Sequence, residues 1–343
     1  NGGAILIIDN INDSSDDYLV LSEIKGGRKY LQHLCPYTIM DNSWDNFFSR
    51  HFKKSKRRSK LRSFESKLDR VGKVSYIHIS DFESYVQHKE LLEQTFFIHK
   101  LRFHNEINSS GYSDEKYSDF YRDIFPEFAM LGILDMSLVC IDGIVVSFVM
   151  ALKQEKKLIH YVPGFHIAFQ CFSLGHLHLM KLFQSLTEKQ QIECFDFSLG
   201  IQEYKERWSD DVTSNYSFLF RFGKNPLAWF VSLCINGLTA LKIYSRDKGW
   251  SLKIKRLLGR VLKKKDKSTV ENSQVEESSG ALLNLSIENA YSFSALMTLP
   301  IIAQKFVVEQ LYVGKKIYFL LKEGKIVGIR ARDADGDKYY QIS

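Results

Sequence analysis

The sequence predicts a mixed α/β (α+β) fold, and three observations carry that expectation. Residues 135–152, DMSLVCIDGIVVSFVMAL, place two β-rich apolar runs around Asp142-Gly143, the dipeptide of a tight hairpin. The run KLIHYVPGF, the helical SLGHLHLMKLFQSL and the run IECFDFSLG follow, so a helix crosses between two strands before a last strand, SNYSFLFRF. Apolar residues make up 45% of the 343, with 25 Phe and 17 Tyr, which supplies a large aromatic core and excludes disorder over most of the chain.

The earlier elements read in order. Residues 4–8 (AILII) and 34–40 (LCPYTIM) are strand-like, around a short helical stretch. The opening, NGGAILIIDN, reads as a chain entered in mid-domain. A long helix starts near Ser43 as N-cap and ends at Gly72. The strand KVSYIHI follows, then Ser80 or Asp81 caps a helix with apolar repeats at Tyr85, Leu92 and Phe96 and at Phe97 and Leu101. A third helix covers 114–130.

After Pro226 the run PLAWFVSLCINGLTALKIYS is short and polar for a membrane span, which needs ~20 apolar residues. Behind it, Lys242 to Lys267 holds eleven Lys/Arg against Asp247 and Asp266, a local +9 in a chain of net +7. The sequence therefore predicts an amphipathic basic segment over 226–265. It lies on an anionic membrane surface through 242–267, or it packs on its own domain with a solvated basic end. Residues 266–280, DKSTVENSQVEESSG, read as a linker. Residues 281–343 read as a small α/β appendage, with the helix LPIIAQKFVVEQL and strands around Glu323-Gly324.

Several chemistries are excluded. Cys35, Cys140, Cys171, Cys194 and Cys234 are odd in number and scattered, which suits reduced thiols in a cytoplasmic protein. His176 and His178 stand two apart on a helix and share no face, and there is no HExxH, so no metal is expected. No P-loop or GxSxG elbow occurs. The basic run Arg50 to Arg62 reads as a solvated helix face or a phosphate-facing one. Neither basic run interleaves aromatics, so nucleic acid is not expected, tRNA apart.

Two stretches carry the chemistry. In YVPGFHIAFQCFSLGHLHLMKLF a strand ends near Pro163-Gly164 and a helix opens at Ser173-Leu174-Gly175-His176. A helix opening presents unpaired amides and partial positive charge, a seat for phosphate, and glycine permits close approach; alternatively Ser173 simply caps the helix. In FDFSLGIQEYKERW a core strand carries Asp196, breaks at Gly200 and runs into Tyr204, Lys205 and Arg207. Asp196 is either a catalytic acid or base, or a buried carboxylate paired with Lys205 or Arg207.

Taken in order, Trp44 with RHFKKSKRRSKLRS, FIHKLRF, LVCIDGIVVSFVM, HYVPGF, the SLG opening a helix, and FDFSLG with YKERW make residues 44–222 resemble the acetyltransferase domain of CelD/BcsL-type proteins. These are GNAT-superfamily relatives of the FemAB-like aminoacyltransferases. The resemblance implies a mostly antiparallel sheet flanked by helices over 43–225, with 1–42 the tail of a first GNAT-like half. It implies acetyl-CoA or another acyl-CoA as co-substrate, lying where two strands splay apart, with its pyrophosphate on Ser173, Leu174, Gly175 and His176. Asp196 is then the base or orienting acid, Lys205 the oxyanion or phosphate contact, and Tyr204 or Tyr161 the acid for the leaving thiolate. Arg102 and Arg207 face the acceptor. The implied acceptor is an amino sugar, a sugar hydroxyl or a polysaccharide precursor, in cellulose or other exopolysaccharide synthesis. The alternatives are FemAB-like transfer from aminoacyl-tRNA and a non-catalytic scaffold at the membrane's inner face. This chain has Ser-Leu-Gly where the family usually has Ser-Pro-Gly, His166 where an acid is common, and no fuller Arg/Gln-x-x-Gly-x-Gly/Ala signature.

Overall fold

A computed structural model describes residues 4–107, 115–223, 288–290, 292–322, 325–333 and 336–342. The expected basic segment 226–265, its membrane contact at 242–267 and the linker 266–280 lie outside the described residues. Among the described residues, no helix is long and apolar enough to cross a membrane. The chain divides between Tyr37 and Thr38 and again between Phe197 and Ser198.

One unit takes residues 4–37 and 198–223. Its strands β1 (Ala4–Asn12) and β2 (Arg28–Ile39) both pair antiparallel with β8 (Asp211–Phe222). Helix α1 (Asp16–Glu23) joins β1 to β2 and starts on a Ser15 cap that accepts from the Tyr18 amide. Its Tyr18 ring packs on Tyr216 and Phe218 of β8. The short helix α8 (Glu203–Glu206) precedes β8.

The larger unit takes 38–197 and the described residues from 288 onward. The expected long helix from Ser43 to Gly72 is two helices, α2 (Trp44–His51) and α3 (Ser55–Leu68), and Ser43 makes no side-chain cap bond. The break at Phe52–Lys54 is stabilised by Arg58, whose Nη1 donates to the Phe52 and Lys53 carbonyls at 2.6 and 3.2 Å. Strand β3 (Val74–Ile79) leads to α4 (Phe82–His88), where Asp81 forms a reciprocal capping box with Ser84. Helices α5 (Leu92–Ile107) and α6 (Glu115–Met130) follow. Tyr85, Leu92 and Phe96 are buried as their spacing predicts, but Phe97 is 59% exposed. It stands about 100° round the helix from Phe96, off the core face.

Strands β4 (Leu134–Ile141) and β5 (Ile144–Gln154) form the expected hairpin. Asp142 (φ 48°) and Gly143 (φ 81°) adopt the left-handed pair that a two-residue turn of this twist requires. Strand β6 (Lys157–Phe165) pairs antiparallel with β5. Helix α7 (Leu174–Lys189) then crosses to β7 (Cys194–Asp196), which runs parallel to β6. The strand expected across IECFDFSLG is thus three residues long. The order β7-β6-β5-β4-β3 is antiparallel apart from that one pair.

All eight residues of β4 are buried because both of its faces are covered. Met136, Leu138 and Cys140 join Tyr85, Phe96 and Phe125 in one core. On the other face Phe183 of α7 meets Phe47, Phe195 and Phe197. Beyond residue 288, β9 (Glu288–Ala290), β10 (Lys316–Lys322), β11 (Lys325–Asp333) and β12 (Gly336–Gln341) make an antiparallel sheet. With it come α9 (Phe293–Met297) and α10 (Ile301–Tyr312). The appendage packs on the rest of this unit: Phe293 meets Phe169, and Tyr312 meets Phe172 and Phe64.

Candidate functional site

Strands β6 and β7 pair only at Lys157–Cys194, Leu158–Phe195 and Ile159–Asp196. β6 then continues to Phe165 on its β5 side, while its pairing with β7 ends at Ile159–Asp196, where β7 itself ends. The register of β5 against β6 slips by one residue between Met150–Val162 and Ala151–His160, which leaves Tyr161 as the extra residue of a bulge. A bulge re-aims its side chain and increases local twist. Tyr161 is accordingly 46% exposed, and its hydroxyl lies 2.8 Å from the hydroxyl of Tyr121 on α6. Burial, reinforced by that hydrogen bond, raises the Tyr121 phenol above its ordinary range and keeps it protonated.

Asp196 alternates with Phe195 and Phe197, whose rings face Phe183 of α7, so its carboxylate takes the opposite face of the strand. There its Oδ2 lies 2.7 Å from Lys157 Nζ. The sequence offered Lys205 or Arg207 as a partner; Lys157, two positions from Asp196 on the paired register, is one that the structure places there. Arg207 pairs instead with Glu203, one helical turn away, on an exposed surface.

The helix opening differs from expectation in detail. Ser173 takes the left-handed region (φ 50°, ψ 44°) and makes no side-chain cap bond. Its own amide donates to Gln170 O, and its carbonyl accepts from the His176 and Leu177 amides. This leaves the Leu174 and Gly175 amides as the donors of the expected group that the helix opening does not use internally. A Cβ on Gly175 would meet the Phe165 ring no closer than 3.6 Å, so folding does not require glycine there. At Gly164 folding does require it: a Cβ would fall 2.3 Å from Phe148. Arg102 of α5 lies over the Phe165 ring at 4.2 Å, at the end of β6.

His166, 1% exposed, follows β6, and its Nδ1 has no hydrogen-bond partner among the described residues. Desolvation lowers its pKa to about 4, so the ring is neutral near pH 7. His178, fully buried, bridges two strands, with Nδ1 2.8 Å from Ser147 Oγ and Nε2 2.9 Å from Ser137 Oγ. Ser147 in turn donates to the Gly164 carbonyl at 3.1 Å. This chain fixes α7 to β4, β5 and the end of β6. Sequence reading missed it, because a histidine between leucines on a helix signals only a buried polar group.

Tyr204, Lys205 and Arg207 belong to the other unit. Lys205 is 5% exposed, and its Nζ donates to the Leu199 carbonyl at 2.8 Å and toward Ser198 O at 3.4 Å. Those carbonyls belong to the turn where Ser198 (φ 58°) and Gly200 (φ 84°) reverse the chain. Lysine placement after the strand break thus secures the break itself. Tyr204 is half-buried. Among the described residues no cluster of three His, Cys, Asp or Glu side chains could hold a metal.

Residues 55–206 match the family model described as an acetyltransferase (GNAT) domain. The matched stretch contains α3 through α8, including β6, β7 and the α7 opening. FemX is similar at 13% identity over 64% of this chain and 72% of that one, with a TM-score of 0.45. L-PGS from Bacillus licheniformis is similar at 14% identity over 66% and 71%, with a TM-score of 0.43. A GCN5-related N-acetyltransferase from Sphaerobacter thermophilus is similar at 12% identity over 64% and 60%, with a TM-score of 0.32. No curated protein matches the chain.

Proposed function

We propose that residues 55–206 form a GNAT-type acyltransferase that moves an acyl group from acyl-CoA to an amine or hydroxyl of a saccharide or polysaccharide precursor. What supports this is the end of the β6–β7 pairing at Ile159–Asp196, with the amide of the partly exposed Gly175 at the α7 opening beyond the end of β6. A thioester arm fits between parted strands, and a diphosphate fits amides at a helix opening.

In the step, the acceptor oxygen or nitrogen attacks the thioester carbonyl, the new C–O or C–N bond forms, and the C–S bond breaks. Asp196 takes or orients the acceptor proton, and Tyr161 returns a proton to the departing thiolate while hydrogen-bonded to Tyr121. Arg102 lies close enough to Phe165 at the end of β6 to meet a polar acceptor. Lys205, tied to the 198–199 carbonyls, supports the loop in this reading.

Titration calorimetry of the full chain with acetyl-CoA tests the reading. Saturable heat with thermal stabilisation of about 2.7 kcal/mol at 100 times the dissociation constant supports it. Absence of both at millimolar acetyl-CoA overturns it.

A further inference from the structure

A polar cavity of about 400 Å³ opens at the other end of α7, beside the β3–β4 edge, and the acyl-transfer reading makes no use of it. His78, Ser80, Asp81, Asp135, Lys153 and Lys189 line it. It lies about 24 Å from the Leu174 end, since α7 has sixteen residues that each rise about 1.5 Å.

Its charges are arranged unequally. Lys189 Nζ lies 2.8 Å from His78 Nδ1, and because an ammonium only donates, Nδ1 accepts. The imidazole proton is therefore on Nε2, which lies 3.0 Å from both Asp135 oxygens. Asp135 is 5% exposed, so its charge is recessed and already met. Asp81 accepts the Ser84 amide at 2.8 Å as a helix cap. Lys189 keeps two N–H groups beyond the one given to His78. Lys153 is half-buried and makes no side-chain hydrogen bond or ion pair among the described residues. A half-buried ammonium without a counter-charge is unfavourable, and an anion supplied from solution relieves it.

We propose that this cavity is a second ligand site, which holds the carboxylate or phosphate of a small metabolite between Lys153 and Lys189. The cavity volume suits a small molecule, and the two buried or capped carboxylates bias it against highly charged ones. The proposal does not depend on acyl transfer.

Calorimetric titration of the full chain with inorganic phosphate and, separately, with succinate at constant ionic strength tests it. Saturable heat with phosphate alone assigns a phosphate ligand, and with succinate alone a carboxylate ligand. Lys153→Ala is expected to weaken the responding anion at least about tenfold, with an unchanged melting temperature because Lys153 holds no side-chain partner. Lys189→Ala is expected to weaken it similarly, and Lys56→Ala, in the basic helix α3, to leave it unaltered. Three results overturn the proposal: no saturable heat with either anion at millimolar concentration, unaltered binding by Lys153→Ala, or loss only with Lys56→Ala.

Discussion

Lys157 and Asp196 form a diagonal pair across the parallel strands β6 and β7, with Nζ 2.7 Å from Oδ2. Lys157 is registered opposite Cys194, and Cys194 and Asp196 share a strand face, so the ion pair spans the last paired rungs before the strands part. It is expected to pin the point of parting. Lys157→Ala should cost about 1–3 kcal/mol in urea unfolding, because it removes a cation hydrogen-bonded to a largely buried carboxylate. Asp196→Asn preserves the shape and should cost less stability, yet lower kcat by about 10²-fold or more if the carboxylate handles the acceptor proton. A variant with lowered stability and unaltered kcat would assign Asp196 to structure alone.

The two glycines that flank the site separate packing from binding. Gly164→Ala forces a Cβ into Phe148 and should cost about 1–3 kcal/mol in stability. Gly175→Ala meets no protein atom closer than 3.6 Å, so its melting temperature should hold. Its acetyl-CoA affinity should fall by about tenfold, since the added methyl crowds a diphosphate at the amides. Calorimetry of both variants reads the difference.

His178 should make the fold acid-sensitive. Burial first, and His160 second, depress its pKa to about 3 from an ordinary 6.5. The unfolded chain therefore binds a proton below pH 6.5 that the folded chain refuses until about pH 3. The contribution is complete above 6.5 and is lost as pH falls through that window, by up to ~1.4 kcal/mol per pH unit. His166, depressed to about 4 by burial, acts in the same sense. Urea unfolding between pH 7 and 4 should show the slope. His178→Asn should flatten it and also cost about 1–3 kcal/mol at pH 7, because it loosens the bonds to Ser137 and Ser147.

Tyr161→Phe removes only an exposed hydroxyl bonded to Tyr121 and should leave the melting temperature within a degree or so of the native value. If that hydroxyl protonates the thiolate, kcat should drop about 10²-fold with little change in KM. Steady-state kinetics with a thiol-detecting assay distinguishes this from a structural role.

Parts of this architecture were legible from the chain. Asp142-Gly143 announced its hairpin because the turn demands positive φ at both positions, and few dipeptides accept that. The helix between KLIHYVPGF and IECFDFSLG announced a parallel crossover because two strands joined by a helix have little other choice. Phe97 misled, because a row of apolar residues on a long helix leaves two adjacent faces open to choice. The break at Phe52–Lys54 was hidden because Arg58, which stabilises it, resembles every other basic residue in its run.

The site was legible in residue type and not in partnership. The sequence by itself determined that Asp196 stands in a core strand and that a glycine-bearing helix opening follows β6, since both depend on neighbours within a few residues. Only the tertiary structure decided that Lys157 faces Asp196, that Tyr161 sits on a bulge against Tyr121, and that His178 ties α7 to two strands. Those pairings depend on strand register and helix placement. These are set by the packing of the whole sheet, and no local propensity encodes them.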